Sequence, residues 1–183
     1  QDKKYPQLSL VEGIEMREDK LDFLEEHIVA YLRKIGRQEL SDRQIREVYG
    51  MMSIVNDIES IGDIIEKNMI PLIAKKLALN TDFSEEGKEE LDIFHTKVCK
   101  QVSRLKEAFS ELNPEIARSI MSKEEKYSDL ETEYRTRHLE RIHEQREESI
   151  ETHEIHMELM DLLKQINVYT GDIAKSIHAI GEK

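Results

Sequence analysis

Helical periodicity runs through almost the whole chain and limits what it can fold into. Apolar residues recur every three to four positions, as on one face of an α-helix, and no stretch shows the alternation of a half-buried strand. The composition agrees, because 36% of the 183 residues are charged, 38% are hydrophobic and only three are proline. This mix is typical of a folded helical protein and not of a disordered chain. We therefore predict an all-α fold.

Capping and breaking residues divide this pattern into long helices. The predicted helices cover residues 9–35, 41–79, 84–112, 113 into the 140s, and 149–180, with a break at 146–149. Ser41 and Gln44 form a capping box, and Gly36 is a natural stop for the first helix. Pro71 should kink the second helix near Ile70. Short connections predict an antiparallel bundle and a single domain over 1–183, with approximate repeats 9–80 and 84–181.

The charge and cysteine content restrict the partners and the compartment. The formal net charge of −12 argues against nucleic acid and favours cations or a basic protein face. The single cysteine, Cys99, fits a reducing compartment and is expected to be a half-buried thiol. No stretch is long and apolar enough to span a bilayer, and no signal peptide is evident. Because the chain starts at Gln1 without methionine, we expect a fragment or processed product whose parent could be a membrane protein.

The middle of the second helix carries a costly arrangement of residues. Asn56, Glu59, Asp63 and Glu66 fall on one stripe, and the like charges at i and i+4 cost roughly 0.2–0.5 kcal/mol. Gly62 costs a further ~1 kcal/mol relative to alanine. These penalties indicate a role beyond helix formation, with Gly62 allowing a neighbouring helix to approach. The alternative is a solvated face, because the stripe lies opposite the apolar positions Ile54, Ile58, Ile61 and Ile65.

Two segments of the second half echo two segments of the first. Residues 21–28 resemble 127–134, and residues 61–65 resemble 170–174, so that each half holds an acidic helix followed by a helix containing Gly-Asp. The separation between the paired segments agrees to within a few residues. We therefore interpret the chain as two copies of an internal repeat.

Residues 56–68 closely resemble the signature of PhoU domains, in particular the version fused behind bacterial sodium/phosphate cotransporters. The resemblance implies two three-helix repeats, each with an acid-x-x-x-Asp motif, which Glu59 and Asp63 match. It also implies that the preceding acidic helix offers Asp22 and Glu25. The chain departs from the family in two respects. Val168 stands where the second acid belongs, leaving Asp172 alone. A six-helix count is not reached, so we expect the first helix of the first repeat to be missing or to lie upstream of Gln1.

Four carboxylates on two helices predict a surface cation site. Glu59, Asp63, Asp22 and Glu25 would supply oxygen ligands that suit magnesium, calcium, manganese or iron. The family resemblance implies iron or zinc, so the expected cofactor is a divalent or iron-type ion (Fe, Zn, Mg or Mn). We expect one competent site, in the first half. The alternative is that both pairs of acids point into water without a metal.

Other candidate residues favour ordinary structural roles. His153 and His156 lack the metalloprotease spacing and are interpreted as surface histidines, while His138 and His143 fall on different faces. Residues 127–148 are mostly charged and are expected to form a solvated helix. Methionines 51, 52, 157 and 160 are interpreted as core residues. No nucleophile elbow or phosphate loop is present, so no catalytic residue is predicted.

The resemblance implies a regulatory domain at the cytoplasmic face of the membrane and not an enzyme. Its partner would be the transmembrane transporter domain of the same chain or a phosphate transporter, and a homo-oligomer is compatible with the sequence. Two alternatives stay open. One is a carboxylate-bridged metalloenzyme on a helical bundle, whose acids would be buried, and the other is a helical scaffold that binds no ligand.

Overall fold

A computed structural model describes residues 1–182 and confirms the all-α fold, with no strand in that range. The helices are α1 (Leu10–Ile35), α2 (Asp42–Asp63), α3 (Ile70–Ala78), α4 (Glu85–Glu111), α5 (Pro114–His143), α6 (Glu147–Glu151) and α7 (His153–Gly181). A π-helical segment, Ile64–Met69, joins α2 to α3. Among the described residues, no helix is long and apolar enough to cross a membrane.

The helix ends follow the capping residues, with one exception. Ser9 and Ser41 each form a complete capping box, and Asn113 accepts hydrogen bonds from the first turn of α5. Gly36 ends α1 as predicted, but its φ of −62° is right-handed and not the left-handed value common for glycine at helix ends. The left-handed positions are instead Leu112, which ends α4, and Gln145, in the break between α5 and α6.

Pro71 distorts the long second helical run where expected. Proline has no N–H to donate to the carbonyl four residues earlier, and its ring collides with that carbonyl. The backbone responds with the π-helical segment Ile64–Met69 immediately before Ile70 and Pro71. The acid stripe therefore ends on wider helical turns, and Glu66 lies within them.

Two hydrophobic clusters hold the bundle together. Helices α4, α5 and α7 form the second half around Phe94, Val98, Tyr134, Met160 and Leu163. Helix α2 packs against the far end of α7 and α5 through a second cluster that includes Ile54, Ile120, Ile173 and Ile177. Helix α7 is thus the central helix, which explains why thirteen of its residues are buried.

Helix α1 packs mainly on α2, and much of its apolar face is uncovered. On that face Leu32 is buried, while Leu24 and Ile28 are 51% and 40% exposed. Among the described helices, α4 has no counterpart in the first half. In the second half, the face of α5 that corresponds to the apolar face of α1 lies around Leu130 and Tyr134, and α4 helps to bury it.

Helix α5 is less solvated than its composition predicted. Glu131, Tyr134, His138 and Arg141 are all buried, at a spacing of three to four residues. The two charged residues are buried as ion pairs, because Arg141 donates to Glu90 of α4 at 3.0 and 2.7 Å and Glu131 pairs with Arg135 and Lys164. The prediction of a solvated helix over 127–148 is therefore wrong for this face. Periodicity of apolar residues misses a buried face that is built from ion pairs.

Candidate metal centre

Six carboxylates line the contact between α1 and α2. On α1, Glu18, Asp22 and Glu25 follow the spacing i, i+4 and i+7, which places them on one face. Helix α2 and the π-helical segment contribute Glu59, Asp63 and Glu66, also spaced by about one turn. The turn at residues 36–41 brings the two acidic faces together. The acid stripe of α2 therefore faces α1 and not open solvent.

Three of these acids converge on one point. Oxygen atoms from Glu18, Asp22 and Asp63 all lie within 4.8 Å of one another, a spacing at which one cation could contact all three. The three residues differ in exposure, because Asp22 is exposed, Asp63 is half-buried and Glu18 is only 4% exposed. The Oε1 atom of Glu18 is buried and has no hydrogen-bond partner among the described residues. A buried carboxylate without a partner is costly, so this atom calls for a cation or a proton.

Gly62 provides the space that the Glu18 side chain occupies. A Cβ at position 62 would lie 2.9 Å from Cδ of Glu18 and closer still to its Oε2. Gly62 is itself buried, so the carboxylate rests directly on the backbone of α2. The structure thus gives a reason for a glycine inside this helix: the close neighbour is a side chain of α1.

The carboxylates raise each other's affinity for positive charge. Burial raises the pKa of Glu18 to about 7, and the nearby charges of Asp22 and Asp63 act in the same direction. Burial and the charge of Asp63 likewise raise the pKa of Glu59. Lys67 forms an ion pair with Asp63 across one helical turn, but it is largely exposed. One exposed lysine does not balance six acids, so the groove is strongly negative.

The structure redistributes the four predicted ligands. Asp22 and Asp63 belong to the convergent trio, whereas Glu59 and Glu25 lie at its side, near enough for Glu25 to raise the pKa of Glu59. Glu18 was missed by the sequence analysis, although it is the most buried of the six. Its signal was the spacing Glu18-Asp22-Glu25, which the second half repeats at Glu124, Ser128 and Glu131.

The second half contains the same contact between a glutamate and a helical glycine, but the residues around that contact carry different charges. A Cβ at Gly171 would lie 2.7 Å from Cγ of Glu124, as Gly62 meets Glu18. Ser128 and Val168 occupy the positions equivalent to Asp22 and Glu59. The position equivalent to Glu66 is Lys175, whose Nζ lies 2.7 Å from Oδ1 of Asp172. The glycine–glutamate contact therefore recurs in the second half, but three of the six acid positions hold Ser128, Val168 and Lys175.

Glu131, another acid of the second half, is paired with basic side chains. Glu131 is fully buried, accepts hydrogen bonds from Arg135 on its own helix, and is paired with Lys164 of α7 at 3.0 Å. This carboxylate is equivalent to Glu25, which is half-buried in the first half. In the second half, lysine and arginine side chains therefore neutralise acids that a bound cation would neutralise in the first half.

Two sequence interpretations outside the metal centre are wrong, and one is confirmed. His156, predicted at the surface with His153, is buried because the turn after α5 folds the start of α7 back onto α5, whereas His153 is half-buried. Cys99 is exposed and not half-buried, with its Sγ 3.3 Å from Nε2 of His95. Met160 is fully buried and Met51 packs against the second cluster, as expected for core methionines.

Comparisons with known proteins identify one domain family and several curated relatives. The family model described as "PhoU domain" matches residues 5–69 and 91–178. A protein of Salmonella typhimurium named "Putative inorganic phosphate export protein YjbB" is 27% identical over 159 residues, and proteins of the same name from two strains of Escherichia coli are 24% identical. These matches cover 87% of this chain but 29% of each relative. No solved structure matches the chain.

Proposed function

We propose, starting from the fact that this chain belongs to the PhoU domain family, that it is a metal-binding regulatory domain of a phosphate transport protein. It would act by contact with a transporter and not by catalysis. The observation that carries the proposal is the buried, unpartnered Glu18 carboxylate at the centre of the acid groove between α1 and α2.

The described residues fit a hard divalent cation. Glu18, Asp22 and Asp63 would hold the ion, with Glu59 beside them, and all of these donors are carboxylate oxygens. Such a set favours magnesium, manganese or ferrous iron, whereas structural zinc prefers sulfur and nitrogen ligands. When bound, the cation would neutralise the repulsion between the two helices. Metal binding would therefore tighten the α1–α2 hairpin.

The proposed partner is a transmembrane transporter. The named relatives are described as inorganic phosphate export proteins, and the chain spans about 29% of their length. A short PhoU domain within a longer transport protein is also the arrangement of the PhoU domains fused to sodium/phosphate cotransporters, which the sequence resembles. We infer that the domain lies at the cytoplasmic face of the membrane and couples metal or phosphate status to transport. The uncovered face of α1, with Leu24 and Ile28 exposed, is available for contact with the rest of such a protein.

A transport assay with matched variants tests this proposal. The complete parent protein would carry either Asp63→Asn, in the acid trio, or Asp172→Asn, at the equivalent position of the second half. We expect Asp63→Asn to alter phosphate flux, or its response to external phosphate, at unchanged protein level, and Asp172→Asn to leave both unchanged. Unaltered flux after removal of residues 1–183 would contradict the regulatory role and favour an inert scaffold.

A further inference from the structure

Three histidines form a buried cluster where α5, α6 and α7 meet, far along the chain from the acid groove. His138 belongs to α5, and His153 and His156 belong to the first turn of α7. His138 and His156 are each 1% exposed, whereas His153 is half-buried. We call these three residues the histidine trio. Nothing in the proposed metal-binding role uses them.

The geometry of the trio indicates a shared proton. Nε2 of His138 lies 3.0 Å from Nδ1 of His153, and the two rings are parallel to within 8° with centroids 5.2 Å apart. These values fit two coplanar rings joined edge to edge by an N–H···N hydrogen bond. The two nitrogens point at each other and do not converge on a third point, so this pair is built for a proton and not for a metal ion.

His156 stacks on the buried member of this pair. Its ring lies parallel to that of His138 to within 5°, at a centroid distance of 4.2 Å. The Nδ1 atoms of both buried rings have no hydrogen-bond partner among residues 1–182. Two neutral imidazoles stack favourably in this arrangement, but two imidazolium ions at that distance would repel strongly in a buried setting.

The groups around the trio oppose positive charge. On α5, Arg141 and Arg135 are the nearby cations, and the α4 carboxylate Glu90 is already committed to Arg141. The start of α4, at Gly87, and the ring of Phe83 lie against His156; the backbone at Gly87 favours protonated His156, but less than burial and Arg141 oppose it. Ser149 of α6 and Thr152, which follows α6, are also buried in the connection between α5 and α7, and neither carries a charge.

Burial accordingly keeps both inner histidines neutral. Burial lowers the pKa of His138 to about 3, and the charges of His156 and Arg141 act in the same direction. Burial also lowers the pKa of His156 to about 4, again with a contribution from Arg141. Because these values lie below the ordinary histidine pKa of about 6.5, the stability they support is complete above that pH and is lost as the pH falls toward the folded-state values.

We propose that the histidine trio is a proton-operated latch that holds α6 and the start of α7 against α4 and α5 and releases them on acidification. A proton would enter at the half-exposed His153 and pass along the hydrogen bond to His138. The imidazolium of His138 would then repel Arg141, and protonation of His156 would break the stack. Release would expose His156 and Phe83 and loosen the connection between α5 and α7.

Amide hydrogen exchange at two pH values tests the latch. At about pH 7.5, residues 138–156 should be protected, and at about pH 5 their protection factors should fall at least tenfold, after correction for intrinsic exchange rates. Helix α1 should not show this loss. The double variant His138→Phe with His156→Phe keeps two stacked aromatic rings but cannot be protonated, and it should lose protection much less. The control His143→Gln changes an exposed histidine of the same helix and should behave as the unmodified chain.

A second measurement keeps the proposal falsifiable if the double variant does not fold. The C2 protons of the histidines can be followed by NMR in the unmodified chain as the pH is lowered. The latch predicts that the His138 and His156 signals titrate only together with the loss of protection in 138–156. Titration of either ring near pH 6.5 with protection intact would overturn it, as would equal acid sensitivity in the double variant.

Discussion

The two halves of this protein build the same frame and use it differently. In each half a glutamate of one helix rests on a glycine of the next, Glu18 on Gly62 and Glu124 on Gly171. In the first half the surrounding positions are acids, and one oxygen of Glu18 is left without a partner. In the second half the equivalent positions hold serine, valine and Lys175. The difference teaches that the glycine–glutamate contact belongs to the helix packing, whereas the neighbouring charges decide whether a cation is needed.

The largest expected effect comes from removing one acid of the trio. Asp63→Asn should weaken binding of manganese or ferrous iron at least tenfold, roughly 1.4 kcal/mol or more, because one of three convergent carboxylates loses its charge. Isothermal titration calorimetry of the purified chain measures this. Asp172→Asn is the matched control, and it should bind the metal as the unmodified chain does. Equal losses in both variants would mean that the two halves share the site.

Substituting the two glycines should separate packing from metal binding. At Gly171 a methyl group would meet Cγ and Cβ of Glu124, and because Cβ moves only with the helix, Gly171→Ala should destabilise the fold by about 1–3 kcal/mol. At Gly62 it would meet the end of the Glu18 side chain, which can swing away. Gly62→Ala should therefore cost little stability but weaken metal binding. Chemical denaturation and calorimetry on both variants check this, and the reverse pattern would contradict it.

The pH dependence of the first half offers a smaller effect of defined sign. Because the folded-state pKa of Glu18 is raised to about 7, the stability associated with its neutral form is present at low pH and is lost as the pH rises through that value. Without metal, Glu18→Gln should be more stable than the unmodified chain at about pH 8, by up to about 3 kcal/mol, and should match it near pH 4. Urea denaturation with a chelator present measures this difference.

Added metal should reverse that order. Saturating manganese stabilises only the form that binds it, so the unmodified chain should gain stability at about pH 8 while Glu18→Gln should not. If the variant were less stable than the unmodified chain at about pH 8 without metal, Glu18 would be a structural hydrogen-bonding residue and not an unpaired ligand.

The sequence predicted the long helices and two of the three convergent acids, Asp22 and Asp63, but not Glu18. Capping at Ser9, Ser41 and Asn113 is local chemistry, and the structure confirms these helix starts. The burial of Glu18 depends on the space above Gly62, which only the approach of α1 defines, so periodicity could not reveal it. His138 and His156 were missed as buried residues for the same reason: their contact forms only when α7 folds back on α5.

Paramagnetic NMR with manganese tests the central claim most directly, because Mn²⁺ broadens signals close to where it binds. Added to the purified, isotope-labelled chain below one equivalent, Mn²⁺ should broaden the amide signals of residues 18–25 and 59–66 first. The signals of residues 124–131 and 168–175 should broaden later and less, since lysine and arginine already pair with acids of that half. Equal broadening in both halves, or earlier broadening in the second, would contradict the assignment of a single cation site to the first half.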